Sequence, residues 1–279
     1  MIIQSNLLDK FKKTKHSFFC FFFIFFLTNF FPSTFFYAAE SVPPTLIEVG
    51  VEEKLGEFLD TNLNFYSSQG EEINFNSFFK DNKSIILSFS YYSCPMLCHL
   101  VTDGLSKALS DLTLQIGTNF EVVSVSIDPD DNAETASAFK TKHLKRFNDN
   151  DFDRYWTFLY GDEISISSLT KSAGFKYRYN EMTSEFAHSA LIMIISPDRK
   201  ISRYLYGIEF RPLDLKLSIL EALNNNLIST VDRVLLFCYN YDPLSRKYVI
   251  FAENVMKIGG FLTIVILFSL IYFLRKRYP

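Results

Sequence analysis

The chain has 279 residues, with 28 Lys and Arg against 31 Asp and Glu for a net charge of −3, and 31 phenylalanines. That length holds one well-packed domain plus targeting and anchoring segments, and is tight for two full domains. Basic residues are scattered except near the two ends, which excludes the basic stripe of a nucleic-acid surface, and four cysteines are too few for a disulfide-stapled scaffold of this size.

The N-terminal segment, residues 1–39, reads as a signal sequence or signal-anchor. Lys10, Lys12, Lys13 and Lys15 precede an apolar run from Phe18 to Leu27, extended by Phe30 and Phe31. A basic stretch before an apolar one is the layout of a secretory signal. Cleavage would fall near Tyr37–Glu40; an uncleaved anchor is the alternative. Cys20 lies inside this run and is given no role.

Residues 40–228 alternate between strand and helix patterns. Ser84–Phe89 reads as a buried strand. Leu97, Val101, Leu105, Ala108, Leu109, Leu112 and Ile116 carry the spacing of a helix over 96–116. Phe120–Ile127 is a second strand, stopped by Asp128-Pro129. Asn132 or Asp131 caps a helix running to about Phe147. Tyr155–Tyr160 is a third strand, and Glu163–Ala173 a short helix ended by Gly174. Ser189–Ile195 and Ile201–Tyr206 flank Pro197-Asp198-Arg199-Lys200, a hairpin signal. Pro212–Leu223 is a last helix with Pro at its start. This order predicts an α/β fold, a thioredoxin-like mixed sheet with flanking helices. Residues 229–257 break the pattern and read as a connector.

Residues 258–274 (IGGFLTIVILFSLIYFL) are apolar throughout and predict a C-terminal transmembrane helix at the short end of the spanning range. Arg275, Lys276 and Arg277 follow in the tip, residues 275–279. By the positive-inside rule both chain ends face the cytoplasm, leaving the middle segment outside, with membrane lipid around the anchor.

The chemistry concentrates on Cys94 and Cys98, within Ser93-Cys94-Pro95-Met96-Leu97-Cys98-His99. A strand runs into the motif and a helix begins within it. Pro95 suits a first helical turn, and a helix N-terminus favours thiolate. A spacing of four puts both sulfurs on one side of that turn, where they can share an ion or form a disulfide. Two thiolates suit a soft cation such as Cu(I) and call for a further ligand. His188, placed at the opening of the strand Ser189–Ile195, is the candidate. Three-coordinate binding fits Cu(I) better than structural zinc, which takes four protein ligands. A thiol–disulfide reaction with no metal is the competing chemistry.

The remaining candidates weigh less. His99 gives the motif the look of a haem attachment site with one extra residue, but on a helix it points about 100° away from Cys98. Met96 is a soft auxiliary ligand or a packing residue. Asp128 serves the sites that gather at sheet ends, or simply the turn. His143 reads as part of a solvated helix face. Cys238 reads as a free thiol near the membrane.

The stretches FSYYSCPMLC, VVSVSIDPDD, WTFLYGD and HSALIMIISPDRKISRYLYG resemble the Sco/SenC family of copper-binding cytochrome c oxidase assembly proteins, over about half the chain. The family's Cys-x-x-x-Cys falls on Cys94 and Cys98 and its distal His on His188, which the resemblance implies are copper ligands for Cu(I), with Cu(II) as the oxidised counterpart. It further implies a copper chaperone for the binuclear copper centre of a respiratory oxidase, on the bacterial inner membrane and facing the periplasm. The implied partners are the oxidase's copper-bearing subunit, a thiol reductase and other copper chaperones. The alternatives are a thiol–disulfide reductase acting on the cysteines of the apo-oxidase, and a redox or copper sensor. Chains of this arrangement carry a tail resembling CYHYDP; here Asn240 replaces the expected His.

Overall fold

The structure is a computed structural model and describes residues 49–145, 147, 150–223, 239–242, 247–250 and 252–277. The chain divides into Met1–Pro43, outside the described residues together with the predicted signal, and Pro44–Pro279, which holds everything below.

The centre of the domain is a seven-stranded sheet in the order β10-β9-β4-β5-β6-β2-β3. Its members are β2 (Asn64–Ser67), β3 (Glu72–Asn74), β4 (Ser84–Ser90), β5 (Phe120–Ser126), β6 (Trp156–Tyr160), β9 (Leu191–Ile195) and β10 (Ile201–Tyr206). β4, β5 and β6 run parallel. β9 pairs antiparallel with β4, and β10 with β9. Every residue of β4 and β9 is buried, which is why both read as unbroken apolar or small runs. A second sheet joins β1 (Gly50–Val51), β7 (Phe175–Asn180) and β8 (Glu185–His188) in the order β1-β7-β8.

The helices follow the predicted order with changed ends. α1 (Leu97–Ser110) stops six residues short of Ile116. Ile116 instead bridges to Phe120, through a turn in which Gly117 has φ 82. α2 (Ala133–Leu144) starts on Asn132, whose side chain accepts from the N–H groups of Glu134 and Thr135 while Thr135 reaches back, a full capping box. Asp131 is not the cap. α3 (Asn150–Tyr155) is a short helix the sequence does not announce, α4 (Glu163–Ser172) is capped by Asp162, and α5 (Pro212–Ala222) has Pro at its start. The predicted mixed sheet with flanking helices is thus present, with β2 and β3 added at the β6 edge and β1, β7 and β8 in a separate sheet.

Gly104, in the middle of α1, lets the chain after β10 approach closely. A Cβ placed there would lie 1.9 Å from the carbonyl oxygen of Ile208. Alanine normally favours a helix over glycine by about 1 kcal/mol. Here the backbone contact reverses the sign, and Gly104→Ala is expected to destabilise the domain by about 1–3 kcal/mol, measured as a lowered thermal unfolding midpoint.

Beyond the domain, β11 (Tyr239–Asp242) and β12 (Lys247–Ile250) form a hairpin in what the sequence predicts as a plain connector. α6 (Ala252–Arg277) contains the predicted span. Its side chains are described without a break only over residues 256–271. Among the described residues no helix is long and apolar enough to cross a membrane, so the transmembrane assignment of 258–274 is not established by the fold. The side chains that are described are uncovered, with Phe261 and Phe268 about 70% exposed.

Candidate metal centre

β4 delivers the chain to the site. Its last residue, Ser90, pairs with Ser126 at the end of β5, and the segment 91–96 turns over this edge into α1. Cys94 N–H donates to Tyr91 O at 3.2 Å, closing the turn. Tyr92 is anchored beneath it. Its hydroxyl donates to the carbonyls of Ser124 (3.1 Å) and Leu159 (2.7 Å), and its N–H donates to Asp131 Oδ2 at 2.8 Å. Ser126 Oγ–H donates to the same Asp131 oxygen. Asp131 therefore ties the cysteine loop to the end of β5. The sequence placed it only as a cap candidate, and nothing in Asp128-Pro129-Asp130-Asp131 singles it out. Asp128 serves the turn: its Oδ1 accepts Asp130 N–H at 2.9 Å, and burial pushes its carboxyl above the usual range.

The two sulfurs are buried, with Cys94 4% and Cys98 1% exposed. Cys98 N–H donates to Cys94 Sγ at 3.3 Å, and Tyr91 N–H donates to Cys98 Sγ at 3.5 Å. His188 arrives from the other sheet. It does not open the strand Ser189–Ile195 as the sequence suggests. It ends β8, paired with Tyr177 of β7, and its Nε2 lies 3.4 Å from Cys98 Sγ. His188 Nδ1 lies 3.1 Å from the carbonyl oxygen of Ser189. A carbonyl only accepts, so the ring proton sits on Nδ1 and the Nε2 lone pair faces Cys98. Tyr91 and Phe175 enclose the imidazole, at ring separations of 6.1 and 5.9 Å.

The electrostatics of the pair are asymmetric. Hydrogen bonding from the Cys98 thiol, with help from the N–H groups of Cys98 and Met96 and from Tyr91, lowers the Cys94 thiol to about 5 against the opposing effect of burial. Cys98 goes the other way, raised well above the usual thiol range by its bond to Cys94 and by burial. Burial lowers His188, which stays neutral and able to donate a lone pair. Cys94 is thiolate above about pH 5. Its alkylation rate is expected to stay near its plateau as pH falls from about 8 to about 6, then to drop through about pH 5. An ordinary thiol near 8.5 would lose about tenfold per pH unit below that value. The check is a pH series of alkylation rates resolved by peptide mass.

Among the described residues no three His, Cys, Asp or Glu side chains already converge as a metal cluster. Cys98 meets His188 directly, while Cys94 joins through the Cys98 N–H and the thiol hydrogen bond. The donor set fits a soft cation: two sulfurs and one neutral imidazole nitrogen with its lone pair turned inward. The same atoms also suit thiol–disulfide exchange, with Cys94 the nucleophile.

The other sequence candidates fall elsewhere. Met96 is 65% exposed, so it does not serve packing. His99 points away from the pair, as its helical position requires. It lies 2.8 Å from His143, which is 2% exposed rather than on a solvated face. Cys20 and Cys238 lie outside the described residues, and Asn240 falls in β11.

A model of the SCO1/SenC family matches residues 53–216, more than half of the chain and all of this site. The chain belongs to the SCO1/SenC family. No curated protein matches it. Among solved structures, a proposed electron transfer protein from Aquifex aeolicus VF5 superposes with a TM-score of 0.55, at 23% identity over 62% of this chain and 97% of that one. That likeness shows a shared fold. Arabidopsis thaliana ScoI with copper bound gives 0.46 at 20% identity, over 58% of this chain and 96% of that one. BsSco gives 0.47 at 17%, over 63% and 99%, and is described as having a disulfide switch and belonging to the Sco family of cytochrome c oxidase assembly proteins.

Proposed function

We propose that this SCO1/SenC protein binds copper as Cu(I) at Cys94, Cys98 and His188 and delivers it to the copper-bearing subunit of a cytochrome c oxidase during assembly of its binuclear centre. The observation that carries the reading is His188 Nε2 at 3.4 Å from Cys98 Sγ, with Nδ1 held by Ser189 O. That arrangement aims a neutral imidazole lone pair at a cysteine pair brought from a distant part of the chain. Copper is present in the Arabidopsis ScoI structure, and BsSco is named for oxidase assembly. The ion is cargo here. It leaves by ligand exchange with cysteines and histidines of the acceptor, unchanged in oxidation state, and a low coordination number leaves room for the incoming ligand. The test is a deletion strain assayed for oxidase activity with and without added copper. Rescue by copper supports delivery; failure of copper to rescue, with rescue by a small thiol reductant, contradicts it.

One observation favours a second reading as thiol–disulfide reductase of the apo-oxidase: the lowered Cys94 thiol beside a protonated Cys98. An attacking thiolate with a resolving thiol next to it is what exchange chemistry uses. Either role in an oxidising compartment calls for a thiol reductase that keeps the pair reduced.

The proposal includes a membrane anchor at residues 258–274, with the domain on the outer, periplasmic face of the bacterial inner membrane. The uncovered apolar side chains of α6 and the basic residues Arg275, Lys276 and Arg277 support it.

A further inference from the structure

Four polar side chains outside the cysteine site form a line between α1 and α2. Lys142 Nζ lies 3.1 Å from His99 Nε2, His99 Nδ1 lies 2.8 Å from His143 Nε2, and His143 Nδ1 lies 3.0 Å from Asp103 Oδ1. The two ends fix the direction of every bond. A lysine ammonium only donates, so His99 Nε2 accepts and its proton sits on Nδ1. That proton goes to His143 Nε2, which places the His143 proton on Nδ1. A carboxylate only accepts, and Asp103 closes the line. Both rings thus have both nitrogens engaged, and each tautomer is set by its neighbours. The rings also pack. His99 stacks on Phe139 at 4.9 Å and 14°, His143 lies 4.5 Å from Phe139, and Phe139 lies 5.2 Å from Tyr92.

The line meets the candidate site at two places. His99 follows Cys98 in the first turn of α1. Tyr92, reached through Phe139, lies two residues before Cys94 and is held by Asp131. The line runs from exposed Lys142 through half-buried His99 and buried His143 to partly exposed Asp103, and losing the His143 ring would leave the inward-facing His99 Nδ1 without its acceptor.

We infer that the line Lys142–His99–His143–Asp103 clamps α2 onto the first turn of α1 and so positions Cys98 against His188, an inference that rests on the copper-site reading above. Its residues are positioning residues that do not touch the cation. Outer partners of metal ligands are typically worth about 10–100-fold in affinity, so His143→Ala is expected to release copper to a chelator about tenfold faster. Glutamine at the same position restores the line, since its carbonyl accepts from His99 and its amide donates to Asp103; His143→Gln is expected to recover most of the parent's retention. His99→Phe keeps the ring on Phe139 but breaks the line, and carries the test should His143→Ala fail to fold.

The experiment uses the full chain and two readouts: Cu(I) release to a chelator, and hydrogen exchange of the Cys98 amide in metal-free protein. Faster release and faster exchange in His143→Ala and His99→Phe, both reversed in His143→Gln, support the clamp. Parent-like values in the two broken chains overturn it. If the parent binds no copper, the functional proposal fails, and the clamp stands or falls on the exchange readout alone.

Discussion

Cys94→Ser and Cys98→Ser chains are each expected to lose stoichiometric copper, with Cu(I) affinity reduced by more than about a thousandfold. A serine hydroxyl is a hard, protonated donor that does not replace a thiolate on a soft ion. The loss exceeds one ligand's share, because the pair is interdependent. The Cys98 thiol hydrogen-bonds to Cys94 and is the main group keeping it ionised. Removing either sulfur therefore alters the other. The measurement is a Cu(I) titration against a competing chelator of known affinity. Retention of one tightly held copper by either single variant would place the site elsewhere in the chain.

His188→Ala is expected to weaken Cu(I) by on the order of a hundredfold while sparing the thiol chemistry. Structural metal sites of four ligands hold about 10–16 kcal/mol in total, so one ligand accounts for about 3–4 kcal/mol, and each 1.4 kcal/mol is tenfold. The Cys94 thiol draws its low value mainly from Cys98 and from backbone N–H groups. Its alkylation profile in His188→Ala should therefore stay close to the parent's. A chain that loses copper but keeps its reactive thiolate separates the two roles of one cysteine pair. If His188→Ala binds copper as tightly as the parent, the three-ligand site is wrong.

Much of the domain is legible because its signals are local. β4 announces itself by an unbroken run of buried residues. α2 starts on a capping box at Asn132. The β9–β10 hairpin turns at Pro197–Lys200, where Arg199 takes φ 68. Cys94 and Cys98 are legible as a pair by spacing alone, and their place at a strand-to-helix junction follows from the flanking patterns. His188 is legible only in part. Its strand is misassigned from sequence, because β8 is four residues long and gains its identity from pairing with β7, across a turn with Ser184 at φ 55. No periodicity over four residues separates such a strand from the one that follows.

Asp131 and His143 owe their places to distant partners that local sequence does not reveal. A run of four turn-forming residues after β5 gives no sign that its last carboxylate holds Tyr92, 39 positions earlier. The exposed-looking charges around His143 conceal that its ring faces His99 and Asp103, about 40 positions away. These contacts are properties of how α1 and α2 pack over the sheet. The anchor shows the opposite case, where an apolar run is plain in the sequence while the described residues of α6 do not establish the span.

On the proposed reading, copper passes through Cys94, Cys98 and His188. That route is tested most directly by loading the full chain with Cu(I), mixing it with the metal-free, pre-reduced copper-bearing subunit of the oxidase, and following both metal and thiols. Copper is expected to move to the subunit while the Cys94 and Cys98 thiols stay reduced, and His188→Ala is expected to hold too little copper to load it. Contradiction would be a pre-reduced subunit that gains no copper from the loaded chain, while in a parallel mixture the metal-free chain reduces a disulfide-bonded subunit as Cys94 and Cys98 join in a disulfide.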